Sequence, residues 1–163
     1  MPVADSTVDT TYAKNDPEYL RLLEEAEGCP FCPPRFPGQN RILYSADGSE
    51  GQWHVMECLK TLVPYPNVDT HLLILPERHI SSLKGLDAFK SLGLYDLRAI
   101  QDLTGWAEEK YPALKMWGGG LAVRLGTNSG VTIYHVHFHL IAPKTDPKTG
   151  KVFPGKHVNF PIG

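Results

Sequence analysis

The sequence predicts an α+β fold: an antiparallel five-stranded sheet with one long and one or two short helices on one side. Three observations carry this. Short runs rich in Val, Ile, Leu, Tyr and Trp, several of them alternating with polar residues, recur along the chain between turns built from Gly, Pro, Asp and Asn. One long stretch, LDAFKSLGLYDLRAIQDLTGWAEEKYP, repeats apolar residues at helical spacing through Leu92, Tyr95, Leu97, Ile100, Leu103 and Trp106. The strands are not alternated one by one with further helices of that length, so hairpin connections are the economical way to join them.

Taken in order, residues 1–16 are small and polar without periodicity and are expected to form a loose N-terminal arm. Asp16 offers an N-cap and Pro17 suits a first helical turn, which predicts a short helix over Glu18–Gly28. The Pro- and Gly-rich segment CPFCPPRFPGQN must be loop. RILYS and QWHVMEC flank the turn ADGSEG as a hairpin, and HLLILP (His71–Pro76) follows the VPYPN turn as a third strand. ERHISSL leads into a short helix, and the long helix is expected to stop before Pro112. WGGGLAVRLG supplies a fourth strand anchored by Trp117, GTNSG a turn, and TIYHVHFHLIAP the fifth strand. One domain is expected over residues 17–143, with 144–163 as an extended Lys-, Gly- and Pro-rich tail.

Composition bounds the partners. A net charge of −2 with 21% charged residues gives no bulk basic surface for nucleic acid or an anionic membrane. No apolar run reaches the roughly 20 residues of a membrane span, and the N-terminus lacks a basic segment followed by an apolar one, so a cytoplasmic protein is expected. Three cysteines are too few for a disulfide scaffold. Cys29 and Cys32 have the spacing of a zinc knuckle, although Cys-x-x-Cys also suits redox proteins or a simple buried pair. Cys58 reads as a buried strand residue.

The chemically informative stretch is YHVHFHLIAP. Residues two apart on a strand face the same way, so His135, His137 and His139 share one face while Val136, Phe138 and Leu140 share the other. Three aligned imidazoles suit metal binding, acid and base work or nucleophilic catalysis. His54 and His71 also lie on strands and are expected to be hydrogen-bonded sheet residues.

The string HVHFHLI resembles the His-x-His-x-His-x-x motif of the histidine triad (HIT) family of nucleotide hydrolases and transferases. CPFC resembles the zinc-bearing branch of that family, HLLILPERHI its strand and turn entering the helix, and GVTI the segment before the triad, so the resemblance covers roughly residues 29–143. It implies that His137 is the nucleophile, attacking the α-phosphorus of a nucleotide to form a nucleotidyl-histidine, and that His139 contacts the scissile phosphate and leaving oxygen. It also implies a closed, structural Zn²⁺ site of Cys29, Cys32, His79 and His135, and a homodimer formed through the long helix and the fourth strand, where Leu121 and Val123 supply an apolar edge.

The chain departs from the family pattern ahead of the triad. Val131 and Thr132 stand where many members have Gln and then Ser or Thr, so one phosphate donor is missing. Asn128, Ser129 and Gly130 of the turn could offer backbone N–H groups as an anion nest, with Thr132 beside them, as the substrate-binding set. The Asn that commonly precedes the third strand is replaced around Lys60 and Thr61. The leading expectation is a hydrolase of nucleoside phosphoramidates, dinucleoside polyphosphates or related phosphoanhydrides. A nucleotidyltransferase or phosphorylase with the same intermediate, a zinc-stabilised nucleotide-binding module, and an open three-histidine metal centre are the alternatives.

Overall fold

The computed structural model describes residues 28–33, 41–58, 67–83, 85–126, 133–156 and 158. The expected arm, the helix preceding Gly28, the positions around Lys60 and Thr61, the residues Asn128, Ser129, Gly130, Val131 and Thr132, and His157 lie outside these residues.

The sheet is the predicted one. β1 (Ile42–Asp47) and β2 (Gln52–Glu57) form a hairpin closed by Gly48 N–H donating to Gly51 O at 2.9 Å. β3 (Val68–Pro76) starts three residues earlier than expected and pairs with β2. Beyond it a 3-10 helix (Gly85–Ser91), α1 (Leu94–Lys110) and α2 (Pro112–Trp117) precede β4 (Gly120–Val123) and β5 (Phe138–Pro143). The strand order is β1-β2-β3-β5-β4, with every neighbouring pair antiparallel.

Alternation along the strands gives the sheet two different faces. Trp53, Val55, Leu72, Ile74, Phe138 and Leu140 pack against Ala99, Ile100, Leu103 and Ala107 of α1 and Leu114 of α2. Met56, Leu73 and Leu75 point the other way, onto Phe31 and Ile133. β3 is therefore covered on both faces, which is why HLLILP is nearly all apolar. Each large side chain so buried contributes about 1.5–3 kcal/mol.

The helical region differs from expectation in two ways. The run ahead of α1 is a 3-10 helix, because Asp96 caps a new start at Gly93, accepting its N–H at 2.8 Å. Of the helix-spaced residues, Tyr95 and Leu97 stand exposed, while Ile100 and Leu103 join Ala99 and Ala107 in the buried face. Pro112 does end α1, yet it also begins α2, since a proline at the first helical position loses no hydrogen bond. Trp117 consequently closes α2 rather than anchoring β4, and Gly118, at φ 74°, donates its N–H to Leu114 O.

One buried carboxylate ties these pieces together. Asp96 accepts from Ser49 N (3.0 Å), Trp53 Nε1 (2.8 Å), Gly93 N (2.8 Å) and Arg78 Nη2 (3.2 Å). Burial alone would raise its pKa, but the N–H donors outweigh that and hold it at about 2. Gly48 is required where the hairpin turn crosses this network, because a Cβ there would lie 2.5 Å from Trp53 Cδ1 and 2.7 Å from Asp96 Oδ1.

Candidate active site and metal centre

The histidine run lies only partly within a regular strand. β5 was expected to include all three histidines, but regular pairing starts at Phe138, so His135 and His137 precede it. The backbone is diverted because Val136 N–H donates to Ile80 O at 2.8 Å and the His135 carbonyl is taken by the His137 ring. The alternation nevertheless persists: Val136, Phe138 and Leu140 belong to the helix-side core, and the histidines face away from it.

His135 is fully buried, and its Nε2–H donates to Pro76 O at 2.8 Å. That bond fixes the tautomer and leaves the Nδ1 lone pair directed at the cysteines. Cys29 Sγ and Cys32 Sγ each lie 3.5 Å from His135 Nδ1, and Cys32 Sγ lies 3.3 Å from His79 Nδ1. Donor atoms from Cys29, Cys32, His79 and His135 all fall within 4.8 Å of one another. The sequence elements converge for separable reasons. CPFC turns back on itself through Cys32 N–H to Cys29 O (3.2 Å), while Arg78, held by Asp96 and by Ser91 O (2.8 Å), fixes the PERH loop carrying His79.

The donor set fits a metal ion. A tetrahedral zinc with about 2.3 Å Zn–S and about 2.0–2.1 Å Zn–N bonds sets sulfur and nitrogen roughly 3.5 Å apart. Burial lowers the pKa of His79, and that of His135 to about 3, so both rings are neutral at pH 7, the form that can ligate a metal. Burial pushes the Cys29 thiol up to about 12, so its thiolate forms there when a cation compensates for the lost water.

His137 Nδ1–H donates to His135 O at 2.6 Å, which puts the lone pair on Nε2. Burial lowers its pKa to about 4, against the opposing effect of that hydrogen bond, and the Arg124 charge adds to the lowering. The ring edge meets Phe31 at a centroid distance of 5.2 Å, so the residue between the two cysteines also shapes the histidine site. His139 lies 5.0 Å from His137, ring centre to ring centre, and its Nδ1 is 3.0 Å from His71 Nε2. Burial, followed by the charges of His137, His71 and Arg124, drives the His139 pKa far down. His71 is lowered to about 4, first by burial.

His71 is a hydrogen-bonded sheet residue as expected, and its partner is the triad histidine His139 on the neighbouring strand. The signal was present in register, since His71 is opposite Ile141 and Leu73 is opposite His139 on one face, but register needs the pairing to be known. Arg124, just after β4, and Phe31, in the cysteine turn, reach the histidines only through tertiary packing. His54 does bond within the sheet, to Ser45 Oγ at 2.8 Å.

The strand order and a histidine face joined to a cysteine knuckle define a HIT-like α+β protein. A family model described as scavenger mRNA decapping enzyme C-term binding matches residues 39–152, and the chain belongs to this family within the histidine triad proteins. Among solved structures, a HIT family hydrolase from Legionella pneumophila Philadelphia 1 is similar at 18% identity and a TM-score of 0.45, over 69% of this chain and 88% of that one. A hypothetical protein from Leishmania major is similar at 23% identity and a TM-score of 0.42, over 64% of this chain and 66% of that one. No protein of curated function matches the sequence significantly.

Proposed function

We propose that the protein is a nucleotide hydrolase acting through a nucleotidyl-histidine on His137. The observation that carries this is the 2.6 Å bond from His137 Nδ1–H to His135 O, which leaves Nε2 with a free lone pair on a ring that burial keeps neutral. Nε2 forms a bond to the α-phosphorus while the bond from phosphorus to the leaving oxygen, or to the nitrogen of a phosphoramidate, breaks; the leaving group departs with that electron pair, and the nitrogen takes a proton from solvent to leave as ammonia. Water then attacks phosphorus, the P–N bond breaks, its electrons return to Nε2, and the proton of the water passes to solvent.

His139 serves the leaving oxygen. When His71 donates its Nε2–H to His139 Nδ1, His139 keeps its own proton on Nε2 and presents a donor where charge develops. Arg124 supplies a nearby cation, as its effect on the three rings indicates. Asn128, Ser129, Gly130 and Thr132 are the proposed further phosphate donors. Cys29, Cys32, His79 and His135 would hold zinc in a structural role, with two thiolates cancelling its charge. The substrates are nucleoside phosphoramidates, dinucleoside polyphosphates or related phosphoanhydrides, and the family's description adds the mRNA cap dinucleotide to those worth testing. The active form is a homodimer joined through α1 and β4, where Leu97 and Leu121 stand exposed. Among the described residues no helix is long and apolar enough to cross a membrane.

Rapid quenching with an adenosine phosphoramidate should trap an acid-labile, base-stable adenylyl group on the peptide containing His137. Product analysis with and without inorganic phosphate distinguishes hydrolysis from transfer. Wild-type turnover in His137→Ala would refute the nucleophile.

A further inference from the structure

We propose that a cavity of about 400 Å³ between Trp117, the glycine edge Gly118–Gly120 and the C-terminal segment binds the leaving-side base of a dinucleoside polyphosphate. This rests on the nucleotidyl-histidine reading above and extends it to a second substrate subsite.

Position is the first argument. Ala122 is the register partner of His139, and Ile141 lies two residues beyond His139 on the same face of β5; both line the cavity. A second cavity, of about 500 Å³ and lined by Asp69, Thr70 and His71, lies on the β3 side. The His71–His139 pair therefore stands between two cavities, and a substrate with its scissile phosphate there has room for a nucleoside on either side. His139 spends Nδ1 on His71, so Nε2, on the opposite edge of the ring, is turned away from β3. The leaving oxygen that Nε2–H serves is then on the side of β4 and Trp117.

Chemistry is the second. Among the described residues no charged side chain lines the Trp117 cavity, so it suits a flat aromatic base rather than a phosphate. Trp117 is 42% exposed. Gly150 lies against part of its ring, where a Cβ would overlap Cζ3, and the exposed remainder is left for stacking. A Cβ at Gly118 or Gly120 would meet nothing within 4 Å, so the space at this edge exists because the chain places no side chains there. The β3-side cavity, with Asp69, Thr70 and Glu57, has polar groups that suit a ribose.

The test compares diadenosine triphosphate with adenosine phosphoramidate, whose leaving group is ammonia, on the full chain with its metal. Trp117→Ala should raise KM for the dinucleotide relative to that for the phosphoramidate by about ten- to a hundredfold, the range for loss of one stacked base, and Trp117→Phe should restore most of it. Gly120→Leu, which adds a side chain at the cavity edge where a Cβ meets nothing within 4 Å, should change the same ratio and keeps the test open if Trp117→Ala fails to fold. An unchanged KM ratio in both variants overturns the subsite. So does an unchanged ratio with an altered oligomeric state, which would assign the cavity to a second copy of the chain. If wild type cleaves neither compound, the nucleotidyl-histidine reading fails by itself. The subsite is then judged by equilibrium binding: Trp117→Ala weakening AMP but not ribose 5-phosphate supports it, and equal effects overturn it.

Discussion

Two histidines two residues apart owe their different proposed tasks to different partners. His137 gives its Nδ1–H to a backbone carbonyl and keeps a lone pair, whereas His139 shares a hydrogen bond with another imidazole and keeps a donor. His137→Ala should therefore abolish nucleotidyl transfer, while His139→Ala should slow it by roughly 10²–10³, as for loss of one donor to the transition state. Single-turnover rates on an adenosine phosphoramidate decide this, and comparable residual rates in the two variants would contradict it. Asp96 gives a prediction of another kind. Its pKa is depressed from 3.8 to about 2, so its stabilisation is present above about pH 4 and is lost as pH falls through 2. That shift corresponds to roughly 2 kcal/mol. Denaturant titrations should show Asp96→Asn destabilised at pH 6, with the gap to wild type closing towards pH 2; a gap independent of pH would show that the charge is not what matters.

At the scale of elements, the PERH loop is held by Glu77 N–H on Gln52 O (2.7 Å) and by the Arg78–Asp96 pair, and the four-donor cluster ties the cysteine turn to it. Purified protein should contain about one zinc per chain. Cys32→Ser should lose the metal and lower the melting temperature by several degrees, less than in a zinc finger because the sheet has its own core. Elemental analysis with thermal melting checks it, and metal-free protein with unchanged stability would remove the metal centre. Phe31 extends the consequence to the proposed nucleophile, because the knuckle proposed to hold metal also places a ring against His137.

For the molecule as a whole, both sheet faces are covered at β2 and β3, yet β4 is an edge strand and α1 leaves Leu94, Tyr95 and Leu97 in solvent. Unpaired edges and exposed apolar faces are what a symmetric interface consumes. Light scattering at micromolar concentration should give a dimer, and Leu97→Lys combined with Leu121→Lys should give a monomer. A wild-type monomer with full activity would contradict the dimer.

Much of this protein is set by local rules that a sequence displays. Period-two and period-3.6 apolar patterns specified the strands and α1, and alternation put the three histidines on one face, because side-chain direction depends only on the residue's own backbone. The cysteine spacing and the histidine string pointed to the metal cluster and the site before any contact was known. Other features depended on distant parts of the chain meeting. The start of β5 was decided by Ile80 O capturing Val136 N–H, and the buried face of α1 by where the sheet lay beneath it rather than by the spacing of Tyr95 and Leu97. His71 joined the site through the register of β3 on β5, sixty-eight residues away in sequence. Asp96 became a buried anchor only once Ser49, Trp53 and Arg78 had been brought around it. Local pattern fixes which way a side chain points, and tertiary packing decides what it meets.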